Sequence, residues 1–467
     1  FLTVVSTILG FIPFMIGTDK EAFWFPLAAG TIGGLVMSAI GIFLFLPVFV
    51  LKKKYCHLLC TSYGSGGVCD FFAFVKPDKN MMISPPALGL RCEPIDVVRI
   101  GLIGLGQRGL QTLRRYTFVE GAEMRCLANL DDSSFEEANA LLRTSGRSEA
   151  LCFYGETAWQ EMCRRDDLDL IYICTDWSSH ARMAVEAMRC GKHVAVEVPA
   201  ATTVEECFEL VRTAEATSRQ CLMTENCCYD WFSLAALELR DAGFFGTITH
   251  CEGAYIHDWR NRFSEGSHGA QTWYKTSCWH GGNPYPTHGI GPIAQLLGIH
   301  RGDRFSHLVS VTGQAAGVES LLGHGNTTLL TTERGVTVLL QFDGTTPRPY
   351  SRIQAVCGTE GFARKYPLVQ VQHESDLFEG EVAEAFLRKY MRGPAADLWR
   401  EGSERGVPNE MNYAMDCRLI YCLRHGLPLD IDVYDAAEWS CLAELTQISA
   451  RRGGERVDIL DFLNLHF

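Results

Sequence analysis

The residues best equipped for chemistry fall into two groups. The first is a glycine-rich run, Gly104-Leu-Gly106-Gln107-Arg108-Gly109, which follows the apolar stretch Val97-Val-Arg-Ile-Gly-Leu-Ile103 and opens a helical pattern through Leu113. In that setting G-x-G-x-x-G does its chemistry with backbone. The first glycine permits a tight turn, the second lets the main chain approach a pyrophosphate, and the third lets helix and strand pack closely. The helix N-terminus then faces the phosphate charge. Asp131 closes the next strand-like run, Met124 to Leu130, 22 residues after Gly109. An acid at that spacing binds a ribose hydroxyl and repels the extra phosphate of NADP, so the expected cofactor is NAD; Asp132 reinforces the repulsion. The second group suits proton transfer. Tyr255 and His257, two apart on a strand, share one face, with Asp258 beside them. Asn283-Pro-Tyr285-Pro-Thr-His288 leads into a helix, and Thr346-Pro-Arg-Pro-Tyr350 is a rigid turn presenting a tyrosine. Two histidines and three tyrosines on loops of one domain are acid–base equipment, although a tyrosine acts as a base only if its pKa moves far from about 10.

These residues need a frame, and the pattern supplies one. Strands are expected at Leu168 to Thr175, His193 to Val198 and Cys221 to Thr224, with helices at His180 to Cys190 and from the capping box Thr203-Val-Glu-Glu206 to about Ser218. Alternating strands and helices predict a doubly wound parallel sheet, whose ligands sit at the carboxyl ends of strands. Those ends carry Asp176-Trp177 with His180, then Glu197-Val198-Pro199, then Glu225-Asn226. From Thr247 the strand-like runs read as a mostly antiparallel sheet: His250 to Ile256, Ser306 to Gly313, Thr327 to Thr332, Val336 to Phe342 and Arg352 to Cys357. Helices return at Asn412 to His425 and Asp435 to Arg451. The expected class is α/β: a Rossmann domain over 97–226, then an α+β substrate domain over 227–467 whose last helices pack back.

The chain has 467 residues and a net charge of −13, a balance that excludes a nucleic-acid backbone binder. Its 19 cysteines include no Cys-x-x-Cys pair, so they read as small buried hydrophobes in a reducing compartment, and no metal is expected. The N-terminal part differs sharply. Residues 1–18 and 22–51 carry no charge, and Lys52-Lys53-Lys54 follows. The second run is long enough for a transmembrane helix and the first reads as a truncated one, with Gly30 and Gly34 as a possible close-approach motif. The lysines place the enzyme on the cytoplasmic side. This segment, 1–54, resembles the last transmembrane helices of resistance-nodulation-division efflux pumps in Phe23-Trp-Phe-Pro-Leu-Ala and Leu46-Pro-Val-Phe49. Residues 55–96 read as a linker.

Residues 97–467 resemble the Gfo/Idh/MocA oxidoreductase-like fold and, within it, glycoside hydrolase family 109, the NAD-dependent α-N-acetylgalactosaminidases. The likeness rests on Ile100-Gly-Leu-Ile-Gly-Leu-Gly106, Lys192-His-Val-Ala-Val-Glu-Val-Pro-Ala200, Glu225-Asn-Cys-Cys-Tyr229, Gly253-Ala-Tyr-Ile-His-Asp258 and Gly282-Asn-Pro-Tyr-Pro-Thr-His288, among other stretches. The resemblance implies that bound NAD takes a hydride from carbon 3 of the sugar. The carbon-2 proton is then removed, the aglycone is eliminated from carbon 1, water adds, and the hydride returns. No pair of carboxylates across the glycosidic bond is required. It further implies that Gly104, Gly106, Gln107, Arg108, Gly109, Asp131, Trp177, His180, Glu197, Val198 and Asn226 hold NAD. Tyr255, Tyr285 and Tyr350 would line the sugar site, with His257 and His288 as acid–base groups and Tyr255 and Tyr285 as rivals. Val198 and Pro284 stand where sugar dehydrogenases of this fold carry a lysine and an aspartate. Trp273-Tyr274-Lys275 stands where the family has a Trp-Arg pair. The alternatives are an NAD-dependent sugar dehydrogenase and a non-catalytic NAD-bound sugar sensor. By analogy a homo-oligomer forms through the sheet face, and family members are exported, against the lysine rule.

Overall fold

Strand β1 (Val98–Ile103) runs into the glycine turn and helix α1 (Gln107–Tyr116). Then follow β2 (Ala122–Asn129), α2 (Phe135–Thr144), β3 (Leu151–Tyr154), α3 (Ala158–Cys163), β4 (Leu170–Ile173), α4 (Trp177–Arg189), β5 (His193–Val196), α5 (Val204–Thr217) and β6 (Cys221–Met223). The strands form one sheet in the order β3-β2-β1-β4-β5-β6, with every neighbouring pair parallel. All residues of β4 and β5 are buried. Strands covered on both faces need no polar alternation, which is why Leu-Ile-Tyr-Ile reads as an unbroken apolar run. The chain reverses direction of travel between β1 and β4, and the crevice at that switch point is where a ligand fits. The computed structural model describes residues 86–259, 280–313 and 325–464.

The capping box at Thr203 and Glu206 forms as expected. Helix α4 begins three residues before the expected His180, because the Asp176 side chain accepts the Ser178 N–H and starts the helix there. The edge strand β3 escapes the pattern because most of its residues are exposed.

A helical turn (Asn226–Tyr229) and α6 (Trp231–Asp241) lead into the second sheet. Its strands are β7 (Ile248–Ile256), β8 (Phe305–Thr312), β9 (Asn326–Thr332), β10 (Thr337–Asp343), β11 (Gln354–Gly358), β12 (Gly361–Arg364), β13 (Gln370–His373), β14 (Asp376–Glu379) and β15 (Val457–Asp458). Their order is β14-β13-β12-β11-β7-β10-β9-β8-β15; β7 and β10 run parallel and the other pairs antiparallel. Helix α7 (Thr287–Leu297) lies on β7, and α8 (Gly380–Arg388), α9 (Pro394–Glu404), α10 (Glu410–Arg424) and α11 (Val433–Arg451) complete the fold. A Cβ on Gly253 would stand 2.3 Å from the Gly289 carbonyl oxygen, so α7 meets β7 backbone to backbone. That approach brings the start of α7 against the end of β7.

Both sheets belong to one unit, Ile83–Phe467. Arg115 of α1 pairs with Asp416 of α10 at 2.9 Å, both fully buried, and the Tyr172 hydroxyl of β4 donates to the same carboxylate. The end of the expected linker is packed: the Ala87 N–H donates to the Tyr434 hydroxyl and the Ile95 N–H to the Leu423 carbonyl. Most cysteines of the described residues are buried, and all are free. Among the described residues no helix is long and apolar enough to cross a membrane. The apolar runs at 1–18 and 22–51 lie outside the described residues, as do the anchor, the pump-like resemblance and the orientation inferred from them.

Candidate active site

A cavity of about 560 Å³ opens at the carboxyl ends of β1, β2 and β4, lined by Gly104, Gly106, Gln107, Arg108, Asn129 and Thr175 among others. The three glycines answer three different demands. Gly104 has φ +89° and a Cβ there would lie 2.7 Å from the Cys174 carbonyl oxygen; a Cβ on Gly109 would lie 1.9 Å from the Gly104 oxygen. At Gly106 a Cβ would meet no atom within 4 Å, so this position faces open space. No side chain caps α1 and no acid sits in its first turn, which leaves its N–H groups for an anion. Arg108 and Glu197 approach to 3.6 Å beside the cavity. Asp131 stands at the exposed rim beyond Asn129 and Leu130. There the Ser133 hydroxyl and N–H hold its carboxyl below the ordinary range, so the rim carries a negative charge. Turn, open glycine and rim acid fit a dinucleotide.

Three of the residues expected at the cofactor, His180, Val198 and Asn226, are buried at the strand ends. His180 is 1% exposed, with Nδ1 2.8 Å from the Pro199 carbonyl and Nε2 3.0 Å from the Thr175 carbonyl. The imidazole thus bridges the end of β4 and the loop after β5. Val198 is a buried apolar residue. The Asn226 amide donates to the Asn412 Oδ1 at 2.6 Å, joining the end of β6 to α10.

The acid–base residues converge. The Tyr285 ring lies 5.4 Å from Trp177, 4.8 Å from Tyr255 and 4.6 Å from His288, and Tyr255 lies 4.9 Å edge-on to His288. The Tyr255 hydroxyl is 3.0 Å from His257 Nδ1, and the His257 ring is 5.0 Å from Tyr350, which is half exposed. Trp177, at the first position of α4, joins this cluster to the cofactor side. Asn283 fixes the turn into α7: its Oδ1 accepts the Tyr285 N–H, and its own N–H donates to Thr446.

Two members of the cluster carry roles that the sequence did not assign. Glu225, fully buried, takes His288 Nδ1 at 2.7 Å and the Cys227 N–H at 3.0 Å. Burial pushes the His288 pKa down, and the neighbouring arginines assist against the opposing pull of Glu225. Burial would raise Glu225, but its interactions with His288 and the Cys227 N–H outweigh that and hold it below the usual carboxylate range. An ionised carboxylate only accepts, so Nδ1 carries the proton and Nε2 keeps a lone pair. Burial drives Tyr285 well above its ordinary pKa, and Tyr350 rises for the same reason although Arg352 opposes it. These phenols are donors. The second unassigned residue is Arg352, whose guanidinium carbon lies 5.8 Å from the Tyr255 ring centroid and 5.6 Å from that of Tyr350. Its signal was available, since it stands two residues after Tyr350 on an extended segment. Glu225 offered only its place at a strand end.

Ligand atoms of Glu225, Cys227 and His288 lie within 4.8 Å of one another. The Arg352 Nη1 stands 2.9 Å from that sulfur, and a fixed cation there opposes a metal ion. Trp273, Tyr274 and Lys275 lie outside the described residues.

A doubly wound sheet with this cleft, joined to an open mixed sheet, defines the class: an NAD-binding oxidoreductase fold. Residues 98–225 match the oxidoreductase family model with the NAD-binding Rossmann fold. Among solved structures the fold is similar to an NAD binding oxidoreductase from Klebsiella pneumoniae, with a TM-score of 0.62 and 16% identity over 79% of this chain and 100% of that one. It is also similar to a levoglucosan dehydrogenase in complex with NADH and levoglucosan, with a TM-score of 0.60 and 17% identity over 78% of this chain and 100% of that one. Residues 229–467 match the model of the glycosyl hydrolase 109 C-terminal domain. An α-N-acetylgalactosaminidase of Bacteroides fragilis is 48% identical over 80% of this chain and 94% of its own length. A glycosyl hydrolase family 109 protein of Phocaeicola vulgatus is 48% identical over 82% and 98%. The chain belongs to glycosyl hydrolase family 109: it is a glycosidase built on an NAD-binding domain, and NAD is its cofactor.

Proposed function

We propose that this enzyme releases terminal α-linked N-acetylgalactosamine by oxidation, elimination, hydration and reduction within one catalytic cycle. The observation that carries the reading is His288, its Nδ1 fixed on Glu225 and its Nε2 left as a base, set against Tyr255 and Tyr285. When bound, NAD supplies hydride acceptance and return at carbon 3 of the sugar. His288 takes the carbon-2 proton at Nε2. Tyr285, held protonated by burial, donates to a sugar oxygen. The Tyr255–His257 pair takes the carbon-3 hydroxyl proton as the hydride leaves and hands a proton to the departing oxygen, and Tyr350 lines the mouth. Glu225 is sealed behind His288 and Glu197 is paired with Arg108, so both carboxylates are committed elsewhere, as a mechanism without a carboxylate couple allows. The name of the Bacteroides fragilis relative supports the choice of sugar.

A homo-oligomer through the open face of the nine-stranded sheet belongs to the same reading. Its support is the exposed pair Val311 and Leu329.

The test is incubation of the full chain with p-nitrophenyl α-N-acetylgalactosaminide, with and without added NAD. Nitrophenol release without net NADH, and loss of deuterium from carbon 2, are expected. Stoichiometric NADH with the free sugar would replace the reading with a dehydrogenase, and sugar binding without turnover would replace it with a sensor.

A further inference from the structure

Arg352 is an unusual cation for its surroundings. Its segment is pinned beside the end of β7, because Ser351 and Ile256 exchange both backbone hydrogen bonds, at 3.0 and 2.9 Å. The guanidinium thus faces the tyrosines from a fixed backbone. Arg108 has Glu197 as a carboxylate partner, Arg115 has Asp416, and Arg301 has Asp432 and Asp435, whereas the half-buried Arg219 and Arg364 have none among the described residues. Among the described residues Arg352 has none within ion-pair distance, and its Nε is buried without a hydrogen-bond partner. Its Nη1 meets the Cys227 sulfur. Burial pushes that thiol well above its ordinary pKa, so the sulfur is a neutral contact and not a counter-ion. A half-buried guanidinium whose Nε has no partner is poorly compensated, and its field falls on the groups around it.

The opposite charge in the same cluster is Glu225. A buried carboxylate bonded to an imidazole favours the imidazolium, and an imidazolium accepts no proton. The groups that face His288 are Glu225 and Cys227 from the end of β6, Tyr255 from β7, Tyr285 from the turn, Arg352 from the segment before β11 and Arg108 from α1. The other elements packed on α7 bring Leu340 of β10 to Gly289 and Trp439 of α11 to Gly291. Arg240 of α6 meets the far end, at the Gln295 and Leu296 carbonyls. Glu225 thus pulls toward protonation, and the two arginines pull away from it.

We propose that Arg352 is a positioning residue of this site: it is the half-buried counter-charge to Glu225 that, with burial, lets His288 remain a neutral base while bonded to a carboxylate. The inference rests on the reading of His288 as the base and adds the residue that sets its protonation state.

The test compares the full chain, with NAD bound, as wild type, R352K, R352M and E225Q. Two readouts are taken: the pH dependence of kcat/KM for p-nitrophenyl α-N-acetylgalactosaminide, and an NMR titration of the His288 imidazole. Removing the cation raises the imidazole pKa, so R352M moves the acid limb to higher pH by about one unit, a roughly tenfold loss below the limb. E225Q moves it the other way, and R352K stays close to wild type. A merely structural arginine predicts lower activity at every pH with unmoved limbs. Coincident limbs for R352M and wild type, or equal-signed shifts in R352M and E225Q, overturn the proposal. If the wild type cleaves no α-N-acetylgalactosaminide, the functional reading falls, and the imidazole titration alone decides the case for Arg352. Should R352M fail to fold, R352Q takes its place beside R352K.

Discussion

The cofactor cleft is centred on one continuous stretch, β1, the glycine turn and α1, whereas the acid–base cluster draws on five separated segments. Trp177 comes from α4, Glu225 from the end of β6, Tyr255 from β7, Tyr285 and His288 from the start of α7, and Arg352 from the lead into β11. The first region works through backbone: a positive φ at Gly104, a close approach at Gly109 and uncapped N–H groups on α1. The second works through side chains whose charge and tautomer are fixed by one another. A backbone site should fail through steric change and a side-chain site through the loss of a proton or a charge. The two failures should be separable.

The sharpest separation comes from His288→Gln. Turnover should fall by roughly 10²- to 10⁴-fold, as for a lost acid–base group, while NAD affinity measured by titration stays unchanged. A parallel loss of NAD binding would show that the regions are one. Next in size is Asp416→Asn, which leaves Arg115 buried without its carboxylate. Removing one partner of such a pair costs about 3–5 kcal/mol, read in urea unfolding. Since Arg115 sits on α1 and Asp416 on α10, the loss should loosen cofactor binding before it touches the tautomer of His288. In the wild type the pH profile gives a further check. Burial lowers the His288 pKa from its ordinary 6.5. A base is lost as pH falls through its own pKa, so kcat/KM at pH 6.5 should remain above half its plateau. An acid limb centred above pH 7 would show that Glu225 has won and the imidazole is charged.

The same contrast explains what the sequence disclosed. Gly104, Gly106 and Gly109 were legible because strand, turn and helix lie within a dozen residues, and the Thr203–Glu206 box was legible for the same reason. Tyr255, His257, Tyr285, His288 and Tyr350 were recognisable as equipment, and the structure brings all five together. Their division of labour was hidden, because it depends on Glu225 and Arg352, which reach His288 only after both sheets have formed. His180 shows a related limit: its place one turn into α4 was legible, but its contacts to the Thr175 and Pro199 carbonyls depend on how the loop after β5 folds. The strands β12, β13 and β14 have four residues each, too few for a period to show.

The smallest expected effect tests the backbone region by itself. Gly106 has φ −68° and ψ −172°, an extended conformation open to any residue, and a Cβ there meets no protein atom within 4 Å. Gly106→Ala should therefore fold normally and gain about 0.4–1 kcal/mol of stability by restricting the unfolded chain. The added methyl occupies the space that the pyrophosphate would approach, so NAD binding should weaken by about tenfold, or about 1.4 kcal/mol. Stability and affinity then move in opposite directions, which a general disturbance of the turn would not produce. Gly109→Ala supplies the contrast, because its Cβ would fall 1.9 Å from the Gly104 oxygen and must distort the turn, lowering both together. If Gly106→Ala binds NAD as tightly as the wild type, the phosphates do not cross this glycine, and the open space beside it serves another part of the cofactor.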